Sequence, residues 1–300
     1  METSSPKTYE FRQRSLSQET WRRFRKNRLA MAGAYFLVLL ILVSIGTVLV
    51  DLATGNEFYR SHVTEQNLAN RLQGPSARHW FGTDEFGRDV LVRILWGTRS
   101  SLSMGLFSIG VALVIGGTLG AIAGYYGLHI DNIIMRTTDI LLAMPPMLLA
   151  LTIVAALGTS TANVVIAVAI SYIPTFARVL RASVLTVKGN EYIQAARAFG
   201  ASDMRIIFQL VIPNSLSPMI VQGTLGVAGA ILTIASLSFV GLGIQPPTPE
   251  WGLMLANART YMREAWHITV IPGLAIMLTI LALNVMGDGL RDALDPKLRN

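Results

Sequence analysis

The sequence has no cysteine and few charged residues, and both shortages limit the classes of protein to which it can belong. Only 14% of its 300 residues are charged, whereas soluble globular proteins carry about 25%. Together with a mean hydropathy of +0.48, this scarcity indicates a membrane protein. The lack of cysteine excludes a disulfide framework and a thiolate metal site. The four histidines are scattered without ligand spacing, so no metal site is predicted.

Several functional motifs are also missing. There is no Gly-x-x-x-x-Gly-Lys-Ser/Thr phosphate loop, so the chain is not expected to hydrolyse ATP by itself, and no cofactor is predicted in it. An intramembrane enzyme is disfavoured because no His-Glu-x-x-His motif is present. A secondary transporter or channel is disfavoured because the apolar runs hold almost no ionisable side chains. The net charge of +7 comes from basic residues at the ends of apolar runs, which indicates topology signals and not nucleic-acid binding.

The apolar runs predict six transmembrane helices. Residues 29–50 form an uncharged run of 22 residues, close to the roughly 20 that a span needs. Its apolar core exceeds the roughly 7–15 residues of a cleaved signal peptide, which predicts an uncleaved first span. The preceding segment, 1–28, has eight Lys/Arg against three acids, and Trp21 and Phe24 among its basic residues indicate an amphipathic helix on an anionic membrane surface.

A polar segment, 51–99, separates the first span from a predicted five-helix core, 100–290, which is followed by a tail, 291–300. The uncharged run 140–177 is 38 residues long, too long for one span, so it predicts a helical hairpin that turns at 158–163. The other core spans are predicted at 100–128, 213–239 and 267–287. In the first of them small residues recur at intervals of four, which predicts a close helix–helix contact: Ser108, Ala112, Gly116, Gly120 and Gly124.

Prolines interrupt two of these spans. Pro145 and Pro146 fall inside the first arm of the hairpin, and Pro174 falls inside the second. Broken backbone at membrane depth is tolerated where it is buried or lines a cavity. Met144 and Tyr172, next to the breaks, are therefore predicted with the three prolines to border the translocation cavity. After the last proline-rich loop, Trp251 is predicted at the membrane interface.

The stretch 191–213 is polar and basic although long uncharged runs flank it. In its first part, apolar and small residues fall at positions i, i+3, i+4 and i+7, which predicts that they share one face of a short helix. These residues are Tyr192, Ala195, Ala196 and Phe199. Gly200 ends this helix, and Ser202 or Asp203 is expected to cap a second helix that begins near Met204. The two central alanines leave the face without bulk, so we expect another surface to come close. An ordinary amphipathic loop is the alternative.

This stretch resembles the EAA loop of bacterial ABC-importer permeases. The family pattern places a Glu, an Ala pair, a Gly and a hydrophobic–Pro pair at fixed spacing, matched here by Glu191, Ala195, Ala196, Gly200, Ile212 and Pro213. A second phrase, together with a proline-rich loop at 245–252, resembles the C-type permease subunit of dipeptide, oligopeptide and nickel importers: it contains Asp84, Gly87, Arg88 and Asp89.

The resemblance implies an all-α, type I ABC-importer permease fold in the bacterial inner membrane. It implies a heterodimer with a homologous second permease, two ATPase subunits that bind ATP and Mg, and an extracytoplasmic binding protein. The loop 188–213 would hold the coupling helix that enters the ATPase, and its coupling residues would be Glu191, Tyr192, Ala195, Ala196, Phe199, Gly200, Ala201 and Asp203. Peptides are the expected substrate; nickel chelate, glutathione or another small solute is the alternative.

Basic residues set the predicted orientation. The N-terminal segment, the stretch around 191–213 and the tail are rich in Lys and Arg, whereas the short loop 158–163 has none and the loop 241–266 has two. By the positive-inside rule both termini and the 188–213 loop are cytoplasmic, and 51–99 is extracytoplasmic.

Reporter fusions test this orientation. A reporter enzyme that is active only outside the cytoplasm should be active when fused after Gln73 or Pro247 and silent when fused after Gly189 or at Asn300. Activity of the Gly189 fusion would overturn the six-span topology.

Overall fold

The computed structural model describes residues 16–294, and its regular elements are helices. Residues 1–15 of the predicted basic segment and 295–300 of the predicted tail lie outside the described part. The helices are α1 (Leu16–Lys26), α2 (Arg28–Ala53), α3 (Val90–Tyr126), α4 (Leu128–Leu142), α5 (Pro146–Leu157), α6 (Thr161–Lys188), α7 (Glu191–Ala198), α8 (Asp203–Phe239), α9 (Trp251–Ala258) and α10 (His267–Leu294).

Five of these helices are long and apolar enough to cross a membrane: α2, α3, α6, α8 and α10. The pair α4 and α5 makes a sixth span if the two are counted as one, although they are bent by 86°. The bend lies at the proline pair. Pro145 is extended, with ψ 136°, because a residue that precedes a proline is disfavoured in the helical region. The first arm of the predicted hairpin is therefore bent at the proline pair and is not one continuous helix.

The helices α3 and α8 begin well before the residues that the sequence predicts. α3 begins at Val90 instead of residue 100 because the side chain of Asp89 caps it, accepting a hydrogen bond of 3.0 Å from the amide of Val92. α8 unites the predicted second helix of the 191–213 stretch with the span that was predicted from residue 213. Its π-helical segment, Ile206–Val211, precedes Pro213, which has no amide hydrogen to donate.

The contact between α3 and α6 is made through backbone at the predicted glycines. A Cβ added to Gly120 would lie 2.3 Å from the carbonyl oxygen of Ala177, and one added to Gly116 would lie 2.5 Å from that of Ile173. At Gly124 the corresponding distance to the carbonyl oxygen of Arg181 is 3.0 Å. These distances confirm the predicted close approach, because a side chain at any of the three positions would push α6 away.

Trp251, predicted at the membrane interface, packs its side chain inside the protein against α3. It is 1% exposed and its indole nitrogen donates to the carbonyl oxygen of Ile94 at 3.1 Å. Glu250, also buried, caps α9 by accepting from the amides of Gly252 and Leu253 at 2.8 and 2.7 Å. The cap turns the ring inward against α3, so the proline-rich loop before it is tied to the core.

Alanine at Gly120 tests the close contact. Gly→Ala in an open helical position stabilises by about 0.4–1 kcal/mol, whereas overpacking costs about 1–3 kcal/mol. We expect Gly120→Ala to lower the apparent melting temperature of the purified protein. The control is Gly110→Ala on the same helix, where nothing lies within 4 Å of the added Cβ. Equal melting temperatures for the two variants would contradict the contact.

Candidate functional site

The short helix α7 is joined to α6 and α8 by tight turns. Asn190, in an extended conformation, separates α6 from α7. Gly200 has φ +79°, a left-handed conformation that glycine adopts without strain, and it ends the helix region as predicted. Ser202 occupies the N-cap position of α8 with extended backbone, although its side chain makes no capping hydrogen bond. The chain therefore forms a helix, a glycine turn and a second helix.

α7 has one packed face and one exposed face. Ile193 is 1% exposed and belongs to the main hydrophobic core, and Ala196 is half-buried against the same core. The opposite face carries Tyr192, which is 44% exposed, and Phe199, which is 91% exposed, with the small Ala195 between them. The predicted face therefore divides: three of its members point away from the protein, and Ala196 borders the packed side.

The other predicted coupling residues surround this face. Glu191 is exposed in the first turn of α7, where its charge is favoured by the helix dipole. Ala201 is half-buried against the core and Asp203 begins α8. The exposed part of the site thus combines an acidic helix start with an apolar face.

Ionic and hydrogen-bonding contacts hold this region to the membrane helices. The phenol of Tyr125, at the end of α3, donates to Asp203 and accepts from Arg197 at 3.1 Å. The hydrogen bond to the Tyr125 phenol raises the pKa of Arg197 above its ordinary value, so its guanidinium stays charged. Nearby, Nε and Nη2 of Arg181 on α6 donate to the two carboxylate oxygens of Asp131 on α4.

A second ion pair between α4 and α6 joins Arg178 and Asp139 at 2.8 Å, although both side chains are more than half exposed. Exposed pairs contribute little, about 0–1 kcal/mol. No sequence motif singles out these acids or Tyr125. Their partners lie 39 to 78 residues away along the chain, so local spacing carried no signal for them.

The predicted extracytoplasmic signature lies at the other end of α3. Asp84 accepts from the amides of Phe86 and Arg88, each at 2.9 Å, and from the Arg88 guanidinium at 2.7 Å. Gly87 has φ +75°, and a Cβ there would lie 1.8 Å from the carbonyl oxygen of Asn67. With Asp89 as the helix cap, these residues form a capped turn that leads into α3.

A buried arginine joins this turn to distant loops. Arg93 is 2% exposed; its Nε lies 3.3 Å from Asp84, and its Nη1 donates to the carbonyl oxygen of Val63 at 2.8 Å. Burial raises the pKa of the adjacent Glu85, and the neighbouring Asp84 charge raises it further. Arg93 lies within α3, so an ionisable side chain does occur in a membrane helix, but it is paired and lies in the first turn.

The residues predicted to border the translocation cavity lie in different surroundings. Met144, Pro145 and Pro146 are exposed at the α4–α5 break, Pro174 is buried inside α6, and Tyr172 packs its hydroxyl against Gly229 of α8. An open apolar groove of about 660 Å³ lies between α5, α8, α9 and α10. Of the hairpin's break region only Met147 lines it. Its other walls include Leu232, Ser236, Phe239, Ile276, Met277 and Asn284.

The sequence matches two family profiles. Residues 116–300 match the profile described as binding-protein-dependent transport system inner membrane component. Residues 15–75 match the N-terminal transmembrane domain of oligopeptide transport permease C. The second match covers most of the polar segment 51–79, for which the sequence motifs gave no resemblance.

Curated relatives span nearly the whole chain. A dipeptide transport system permease of Alkalihalophilus pseudofirmus is 48% identical over 94% of this chain and 90% of its own length. A glutathione transport system permease of Pectobacterium atrosepticum is 48% identical over 94% and 92%. A di/tripeptide transport system permease of Pseudomonas aeruginosa is 45% identical over 94% and 93%.

A solved structure has the same fold. A chain of the MetNI methionine ABC transporter, in an inward-facing conformation, aligns with a TM-score of 0.57 over 68% of this chain and 98% of its own. At 17% sequence identity this likeness shows the fold alone. It confirms the predicted ABC-importer permease fold.

Proposed function

Because the chain belongs to the family of inner membrane components of binding-protein-dependent transport systems, we propose that it is the permease subunit of an ATP-binding cassette importer for peptides. The main observation in favour of a peptide substrate is the 48% identity to a dipeptide permease along 94% of the chain. The match at 15–75 to the oligopeptide permease domain supports it. We place it in the bacterial inner membrane with both termini and α7 in the cytoplasm, as the distribution of basic residues predicts.

The exposed face of α7 is the proposed contact with an ATPase. Large apolar side chains exposed together on a short helix mark an interaction surface. Tyr192 and Phe199 are seven residues apart and so share one helix face, and Ala195 between them leaves room for a partner to approach. Together with Glu191, Ala196, Gly200, Ala201 and Asp203, these residues make the proposed coupling site.

The proposed assembly contains this permease, a homologous second permease, two ATPase subunits and an extracytoplasmic binding protein. ATP and Mg bind to the ATPases, and this chain performs no chemistry. Closure of the ATPases displaces α7, and the membrane helices change between inward- and outward-open states. A bound substrate shifts this equilibrium only through its different affinities for the two states. The apolar groove that Met147 lines would form one wall of the substrate path across the membrane.

Glutathione transport is the second candidate, because a glutathione permease matches this chain at the same 48% identity as the dipeptide permease. Both substrates are short peptidic solutes. Uptake of labelled dialanine and labelled glutathione by cells that carry the complete transporter separates them. Dialanine uptake without glutathione uptake supports the proposal, and the reverse result replaces peptide by glutathione.

Bulk at Ala195 tests the coupling surface. Ala195→Trp should leave α7 folded, because the position is exposed, but should weaken ATPase binding by about 1–3 kcal/mol, or about 5- to 150-fold. The measurement is recovery of ATPase subunits with a tagged permease. Ala196 is a poorer choice, because a larger side chain there would also disturb packing on the core.

The matched control is Ala77→Trp, the same substitution at an exposed position of the polar 51–99 segment. It should leave ATPase recovery unchanged. Normal recovery with Ala195→Trp would remove this face from the ATPase contact and would leave the stretch as an ordinary amphipathic loop.

A further inference from the structure

Three helix ends and the start of a fourth helix meet around one tyrosine. Tyr125 is the penultimate residue of α3. Lys188, the last residue of α6, donates its ammonium group to the Tyr125 carbonyl oxygen. Arg197 near the end of α7 donates to the phenol oxygen, and Asp203 at the start of α8 accepts from it. We call these four residues the Tyr125 junction.

The chemistry of the Tyr125 junction is directional. A phenol has one hydrogen to donate and oxygen lone pairs to accept with, so a single hydroxyl links Arg197 to Asp203. The two cations also lie over the ring, with Lys188 Nζ 5.5 Å and the Arg197 guanidinium carbon 5.6 Å from its centre. Cation–π attraction holds at such distances. The carboxylate of Asp203 partly balances these two positive charges.

The junction also differs in burial from the helix that it holds. Tyr125 is 3% exposed, whereas most of α7 is exposed. Ile193 and Ala196 also attach α7 to the core, but they pack without directional bonds. Apolar packing alone permits a short helix to slide or rotate, but the hydrogen bonds of a buried phenol fix its position relative to α3.

We propose that Tyr125 is a positioning residue that makes α7 and α3 move as one body. This proposal rests on the proposed function, in which α7 receives the displacement of an ATPase. The load would pass from α7 through Arg197 to the phenol and on to the end of α3. Asp203 would bring the start of α8 into the same movement. The Tyr125 hydroxyl is thus a further residue on the transmission route, outside the 191–213 stretch.

The test measures the distance between α7 and α3 in two nucleotide states. Spin labels are placed at Gln194→Cys on α7 and Phe107→Cys on α3, two exposed positions in a chain with no native cysteine. Phe107 lies about 27 Å along α3 from Tyr125, at 1.5 Å per residue. Distances of this size suit pulsed electron–electron double resonance spectroscopy. The labelled complex is reconstituted with its ATPases, and spectra are recorded without nucleotide and with ATP and vanadate.

With Tyr125 intact, the α7–α3 distance should be the same in both states, because the helices move together. In Tyr125→Phe, which keeps the ring but removes the hydroxyl, the distance distribution should broaden, and its mean should shift between the states. ATPase subunits should still co-purify, since the exposed face of α7 is unchanged. A purely stabilising role would lower the melting temperature without producing a nucleotide-dependent shift.

Tyr126→Phe is the matched control. This neighbouring tyrosine is 44% exposed and touches the Tyr125 ring edge-on at 5.3 Å, and its loss of a hydroxyl should change neither the distance nor its nucleotide response. Arg197→Ala should reproduce the Tyr125→Phe shift, and the double variant should be no worse than either single one, because both remove the hydrogen bond between Arg197 and the phenol.

The same α7–α3 distance in both states of Tyr125→Phe would overturn the junction proposal. Failure of the unsubstituted permease to retain ATPase subunits would instead contradict the proposed function, so the two failures are told apart.

Discussion

The backbone contact between α3 and α6 is the constraint on which the rest of the structure depends. Gly116, Gly120 and Gly124 let the two helices touch without side chains between them, and this fixes the end of α3 beside the end of α6. In a bilayer, helix association gains little from burying apolar surface, so close packing at small residues carries much of it. The position of α7 follows, because Arg197 on α7 donates to Tyr125 at the end of α3, and Lys188 at the end of α6 donates to the same tyrosine.

The two ends of α3 are held by different chemistry. At its start, the buried pair of Asp84 and Arg88 with Arg93 joins a tight turn to distant loops. Removing one partner of such a buried pair leaves an uncompensated charge and costs about 3–5 kcal/mol. At its end, Tyr125 meets residues of three other helices through hydrogen bonds in a region where α7 is exposed. The first arrangement suits a rigid cap, and the second suits a contact that transmits movement.

Periodicity and composition were sufficient to predict the helices and the close glycine contact, because apolar run length and small-residue spacing act locally. The glycine turn at Gly200 was predicted for the same reason. The sequence did not predict the early start of α3, since a cap at Asp89 overrides the polarity of 90–99, nor the burial of Trp251, which depends on Glu250. The partners of Tyr125, Asp131 and Asp139 are brought in by folding from far along the chain, so no spacing in one sequence reveals them. The sequence alone could not show which face of α7 is buried, because that depends on the core, which buries Ile193 and leaves Phe199 exposed.

We propose that this chain transmits the work of ATP hydrolysis and does not perform it. ATP turnover by the purified permease alone, compared with turnover by the permease assembled with its ATPase subunits in lipid nanodiscs, tests that claim most directly. We expect hydrolysis only in the assembled complex, and none from the permease at any ATP concentration. Hydrolysis by the permease alone, at the rate of the complex, would contradict the account.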